Sequence, residues 1–206
     1  MLLFFLITAA VGLLFVILMY FKYIPISRLY EFALPFTLLL IAATWYMGIT
    51  REQLGFVPVT FEAIKVYGIG TIIGLIFLAL IIKPLKLKFL KQKLTPRYIL
   101  GLFLYLVISC PLQEFVFRAY LFGALSRLSF DLGINSIFLG AFIFALSHAP
   151  LRNTRLTLGS AVTGLILSTL YFISLNFWLV SVVHFIFGVA GDRFGLIAYE
   201  GRRRLS

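Results

Sequence analysis

Seven apolar runs alternate with short polar connections along the 206 residues of this chain. They lie near residues 2–20, 30–47, 64–82, 98–128, 133–149, 157–175 and 177–198. All but the fourth are close to the roughly 20 residues that a helix needs to cross a bilayer. The pattern predicts an all-α, polytopic integral membrane helix bundle of about seven transmembrane helices. The fourth run is too long for one perpendicular span, and Pro111 inside it predicts a kink or a protruding first half. Splitting the run there would make an eighth segment. The first run is apolar from its second residue and lacks a basic leader and an A-x-A site, so it reads as a membrane helix and not a cleaved signal. No soluble domain, low-complexity tract or clear internal repeat interrupts the pattern, which predicts a single membrane domain over 1–206.

Composition sharpens this picture. Hydrophobic residues make up 62% of the chain and charged ones 12%, and the mean hydropathy is +1.08. A soluble domain is nearer half apolar and a quarter charged. No globular core of this size hides so much apolar surface, so lipid is the expected solvent. The net charge of +11 would suit a nucleic-acid binder only if the cations lined a groove. Almost all of them fall instead in short segments between apolar runs, the membrane pattern, and no nucleic-acid partner is expected. The single cysteine, Cys110, excludes an internal disulfide.

Charge on the connections predicts orientation. The first connection carries Lys22 and Arg28, the third Lys83, Lys86, Lys88, Lys91, Lys93 and Arg97, the fifth Arg152 and Arg155, and the tail Arg202, Arg203 and Arg204. The even connections hold only Arg51, offset by Glu52 and Glu62, and Arg127 near Asp131. With seven spans this puts the N-terminus outside and the C-terminus in the cytoplasm. The Lys83–Arg97 segment interleaves lysines with Leu85, Leu87, Phe89, Leu90 and Leu94. It reads either as a plain topology signal or as an interfacial segment meeting anionic headgroups, at about 1 kcal/mol per cation. Gly68, Gly70 and Gly74 in the third run, and Ser160 with Gly164 in the sixth, allow close backbone approach between helices. Gly68-x-Gly70 is no nucleotide fingerprint, because no strand precedes it.

Ionisable groups inside membrane helices cost about 2.5–3.5 kcal/mol each on insertion scales and mark candidate sites. Few occur here: Glu114 and Arg118 in the fourth run, preceded by Gln113, then His148 at the end of the fifth and His184 in the seventh. Glu114 and Arg118 stand at i, i+4 and can pair on one face. That pair can serve structure alone. Phe144 and His148 share a face by the same spacing. His184 lies eight residues before Asp192, about 12 Å of helix rise. If the true fourth span begins near Cys110–Pro111, Glu114, His148 and His184 can line one cavity open to the cytoplasm. A span beginning at Tyr98 would put Glu114 about 24 Å up and separate the three.

Three segments carry a resemblance. Cys110-Pro111-Leu112-Gln113-Glu114-Phe115-Val116-Phe117-Arg118 resembles the E-E-x-x-x-R motif of the CAAX-protease and bacteriocin-processing membrane proteins. Phe144-Ala145-Leu146-Ser147-His148 is similar to their F-x-x-x-H motif, and His184-Phe185-Ile186-Phe187-Gly188 to their H-x-x-x-N motif. Order, separation and placement on late helices agree over about residues 98–200. The resemblance implies an intramembrane endopeptidase. Its first motif glutamate, aided by the first histidine, activates water, while the second histidine and the asparagine hold the oxyanion.

The chain departs from that pattern at two of the four places. Gln113 stands where the first glutamate is expected and Gly188 where the asparagine is expected. A carboxamide orients water but is no base near neutral pH. Glu114 is a poor substitute, because consecutive helical residues point about 100° apart and Arg118 claims its carboxylate. Losing an oxyanion donor typically costs about 10²–10³ in rate. Three readings follow. The chain is a degenerate, non-proteolytic or weakly active family member that binds, scaffolds or regulates another membrane protein. Alternatively, it is an endopeptidase acting on membrane-associated peptides or prenylated-protein-type substrates. It would use Glu114, His148 and His184 in altered roles, around a zinc ion if any metal is present. A third reading makes His148 and His184 axial ligands of a haem or a pigment. No cofactor is expected under the first. A Gln113→Glu, Gly188→Asn pair is expected to restore more chemistry than either change alone.

Overall fold

A computed structural model describes residues 1–25, 29–82, 93–130 and 133–194. Outside these lie Arg28, Lys83, Lys86, Lys88, Lys91, Asp131, the basic tail Arg202–Arg204 and residues 195–198 of the last apolar run. The anionic-lipid reading of Lys83–Arg97 therefore falls mostly outside the described residues. Among those described, the chain forms seven helices: α1 (Leu2–Tyr20), α2 (Leu29–Met47), α3 (Phe61–Ile82), α4 (Pro96–Arg127), α5 (Ile134–His148), α6 (Thr154–Ser174) and α7 (Phe177–Arg193).

The protein is a polytopic membrane helix bundle. Large apolar side chains stand outward all along it, with Trp45 92% and Phe142 63% exposed, a surface only lipid tails can cover. Among the described residues, five helices are long and apolar enough to cross a membrane: α1, α3, α4, α5 with its following turn, and α6. α2 counts 17 apolar-helix residues over Glu31–Met47 and α7 has 17, the lower end of the spanning range.

α4 is not split. It starts on a capped N-terminus, where the Thr95 hydroxyl accepts from the Tyr98 amide at 3.2 Å and Pro96 takes the first turn. It then runs unbroken through Pro111 to Arg127, interrupted only by two π-helical turns, Tyr105–Ser109 and Phe115–Tyr120. Proline has no N–H for the helical ladder. The wider turn just before Pro111 already opens that ladder, so the missing bond is absorbed locally without ending the helix. The expected second segment is thus one long helix.

Hydrogen bonds between elements sort the connections to two ends. At one end Arg152 Nη2 donates to the Tyr20 carbonyl at 2.9 Å, and Tyr98 at the start of α4 donates to Asp192 Oδ2 at 3.3 Å. At the other end Arg127 Nε donates to the Met47 carbonyl at 3.0 Å, and the Phe177 amide donates to the Gly55 carbonyl at 2.9 Å. The turn from α6 to α7 is tight. Leu175 takes a left-handed conformation, and buried Asn176 caps α7 by accepting from the Leu179 amide at 3.1 Å. Tyr67 of α3 donates to the Asn176 carbonyl at 3.0 Å, which ties α3 to this corner.

The glycines of α3 do what their spacing suggests, with one exception. A Cβ on Gly70 would strike Leu170, and one on Gly74 would strike Phe187 and Ile166, so these two positions let α3 close on α6 and α7. Gly68 has open space around it. Gly164 of α6 does the same service for α5, with Ala141 and Phe144 each 3.1 Å from where its Cβ would be.

Candidate active site

Arg118 is the hub. It and Glu114 are fully buried, and Arg118 Nη1 donates to Glu114 Oε1 at 2.9 Å, as the i, i+4 spacing predicts. Its Nη2 donates to the Gly164 carbonyl on α6 at 3.3 Å, and its guanidinium lies 4.4 Å over the Phe144 ring of α5. The same Glu114 Oε1 receives His184 Nδ1 of α7 at 2.6 Å. One carboxylate and one guanidinium therefore pin α4, α5, α6 and α7 together. A charged pair taken out of water needs this density of partners to persist. Glu114 Oε2 and Arg118 Nε have no protein partner among the described residues.

The short Glu114–His184 contact also selects a tautomer. With Nδ1–H held by a carboxylate, the other ring nitrogen of a neutral imidazole carries a lone pair. His148 sits differently. Its Nδ1 faces the Phe144 carbonyl of its own helix at 2.8 Å and Ser147 Oγ at 3.2 Å. It meets the cluster through the Phe144 ring, which packs edge-on against His148 at 4.7 Å and against His184 at 5.4 Å between centroids.

The expected triad thus meets in part. Glu114 and His184 touch, and His148 is joined to them by apolar carbon. The zinc arrangement of Glu114, His148 and His184 is not formed, and no group of three or more metal-ligating side chains gathers among the described residues. Glu114 is fully buried and His184 4% exposed, while His148 is half-buried. The helix begins at Pro96, and the Glu114–His184 contact forms. From Tyr98–Asp192 to Glu114–His184 the contacts advance 16 residues along α4 but eight along α7, so a count of rise along one axis does not give the separation of the two side chains.

Gln113 is half-buried and makes no hydrogen bond to a described residue. Gly188 is more informative. A Cβ built on it would collide with the Tyr105 hydroxyl and lie 2.6 Å from the edge of that ring. Tyr105 also packs edge-on against His184, at 6.1 Å between centroids, and tilts against Phe185 at 5.9 Å. The tyrosine fills the room where an asparagine side chain would begin. This corrects the expectation for Gly188→Asn, which now requires Tyr105 to leave. Tyr105, Phe144 and Gly164 were not singled out as site residues from sequence, apart from the place of Phe144 in its motif.

Residues 95–190 match the family model described as type II CAAX prenyl endopeptidase Rce1-like. Over these residues the chain is similar to the Rce1-like family. The match spans all three motifs, from the cap of α4 to just past Gly188. Rce1-like enzymes work with glutamate and histidine and without a metal. No curated protein and no solved structure gives a significant match to the chain.

Proposed function

We propose that this protein is a degenerate Rce1-like member, a membrane-embedded module that binds a membrane-associated, prenylated peptide without cleaving it. The observation that carries this reading is the state of the two carboxylate positions. Gln113 has no base to offer, and the Glu114 oxygen that faces the cluster is held by both Arg118 and His184. A carboxylate clamped by two donors is a strut, and a strut does not take a proton from water. What remains of the motifs keeps four helices in register. The test is the full chain in nanodiscs with a farnesylated C-terminal peptide. Saturable binding with no product above background is expected, and product that vanishes on Glu114→Gln or His148→Ala would overturn the non-catalytic reading.

One observation favours the alternative, an active endopeptidase with Glu114 as the base: Glu114 Oε2 has no hydrogen-bond partner among the described residues and could accept a proton from a bound water. The same assay separates the two.

We further propose that the end carrying Lys22, Arg152 and Arg155 faces the cytoplasm, with the N-terminus outside, because basic connections are retained on that side. A reporter fused after Ser206 is expected to be active in the cytoplasm. Activity only outside the cell would invert the bundle.

A further inference from the structure

α1 ends where the hydrocarbon of a bilayer ends. Its 19 residues, Leu2–Tyr20, rise about 28 Å, close to the roughly 30 Å of a hydrocarbon core. Tyr20, Phe21 and Tyr23 follow as exposed rings, the residue type that collects at headgroup level. At this level α1 packs on the short 3-10 turn Ala149–Leu151 that follows α5. Between them lies a cleft of about 350 Å³, within the roughly 300–1,000 Å³ in which proteins hold small ligands. Its wall is apolar, with Met19, Ile24, Pro150 and Leu151, and it carries two cations, Lys22 and Arg152. No carboxylate is among the described residues that line it.

We propose that this cleft holds the phosphate of an anionic phospholipid, with Lys22 and Arg152 on the headgroup and the apolar wall against the first carbons of its tails. The backbone sets both cations there. Lys22 (φ 66°) and Arg152 (φ 51°) take left-handed conformations, which glycine fills easily and a residue with a side chain rarely does. At Lys22 that conformation closes α1, as the Lys22 and Tyr23 amides return to the Met19 and Leu18 carbonyls. The Arg152 guanidinium is anchored: Nη2 donates to the Tyr20 carbonyl at 2.9 Å, and its central carbon lies 5.5 Å from the centre of the Tyr20 ring. The anchor leaves its other N–H groups without a described partner, and a planar fork of donors suits phosphate oxygens. The Lys22 ammonium makes no hydrogen bond to a described residue. Two cations at one cleft without a lining carboxylate attract an anion, and at headgroup depth the abundant anion is a lipid phosphate. Basic pockets between membrane helices take anionic headgroups in this way. The site is separate in sequence from Lys83–Arg97 and does not depend on the peptide-binding reading.

The experiment photo-labels the full chain in phosphatidylcholine nanodiscs that contain a sub-saturating fraction of phosphatidylglycerol with a photoactivatable headgroup. Labelled residues are mapped by peptide mass spectrometry, and thermal unfolding is recorded for every variant. Label is expected on residues 19–25 and 150–152, displaced by excess unlabelled phosphatidylglycerol and not by millimolar inorganic phosphate. Lys22→Asn removes the charge and keeps a residue that tolerates left-handed backbone. It is expected to lower labelling of the cleft about fivefold, the share of one cation at a membrane surface, at an unchanged melting temperature. Adding Arg152→Gln should lower it about 20-fold or more, while labelling elsewhere on the chain stays within about twofold. A Lys22→Asn protein labelled at the cleft as strongly as the wild type would overturn the proposal, whether or not the double variant folds. Equal labelling of the cleft by a phosphatidylcholine probe would also overturn it, as would displacement by inorganic phosphate, which would make this a site for a free anion.

Discussion

Replacing Arg118 by alanine is expected to lower the melting temperature in detergent by about 10 °C or more and to cost most of the recoverable folded protein. Breaking a buried ion pair by removing one partner typically costs about 3–5 kcal/mol, and a chain of this size loses about 2–4 °C per kcal/mol. Arg118 is fully buried and serves Glu114, the Gly164 carbonyl and the Phe144 ring together. Its loss leaves the Glu114 carboxylate in low dielectric with His184 as its remaining partner. Arg118→Lys should recover little, because an ammonium is a point donor without the planar fork that spans α4 and α6. A thermal scan by intrinsic fluorescence checks this. An Arg118→Ala protein melting within about 2 °C of the parent would show that the pair does not hold the bundle.

The second large effect is a gain. Gln113→Glu is expected to produce peptide cleavage where the parent shows none, because it restores the carboxylate at the family's water-activating position at nearly constant volume. Gln113 is half-buried and makes no hydrogen bond to a described residue, so no existing bond is broken. A positioned general base is worth about 10²–10⁴ in rate, enough to lift product above background in a mass-spectrometric assay. The asparagine at 188 is not expected to help on its own. With Tyr105 in place, Gly188→Asn presses a side chain into a filled space, and overpacking of that kind typically costs about 1–3 kcal/mol. A Gln113→Glu protein as inert as the parent would mean that the missing base is not what silences the site.

Much of this was legible in advance for a specific physical reason. Lipid demands long apolar helices, so the runs could be read one by one, and loop charges could be assigned to ends by alternation. The Glu114–Arg118 pair was legible because i, i+4 is a local rule that needs no fold. The His184 contact with Glu114 crosses 70 positions, and motif order hinted at it where spacing arithmetic left it open. That arithmetic counted rise along one axis, whereas the contacts advance 16 residues along α4 for eight along α7. Pro111 looked like a break because proline usually is one, yet a π-turn beside it absorbs the missing bond. Tyr105 carried no signal at all. On a regular helix it faces away, and only the backbone defect turns it inward. The empty place at Gly188 was visible, but nothing in the residue string says what fills a space.

The residue string alone set the solvent, the helical class and the residues able to carry charge inside the bundle. These follow from composition and from rules that act over four residues or fewer. The tertiary structure decided which of those residues touch. It joined Glu114 to His184, left His148 one aromatic ring away, and set a tyrosine against a glycine 83 positions further on. Helix tilt and helix phase are set by packing against neighbours. A rotation of one residue's worth, about 100°, is enough to move a side chain out of a site or into it.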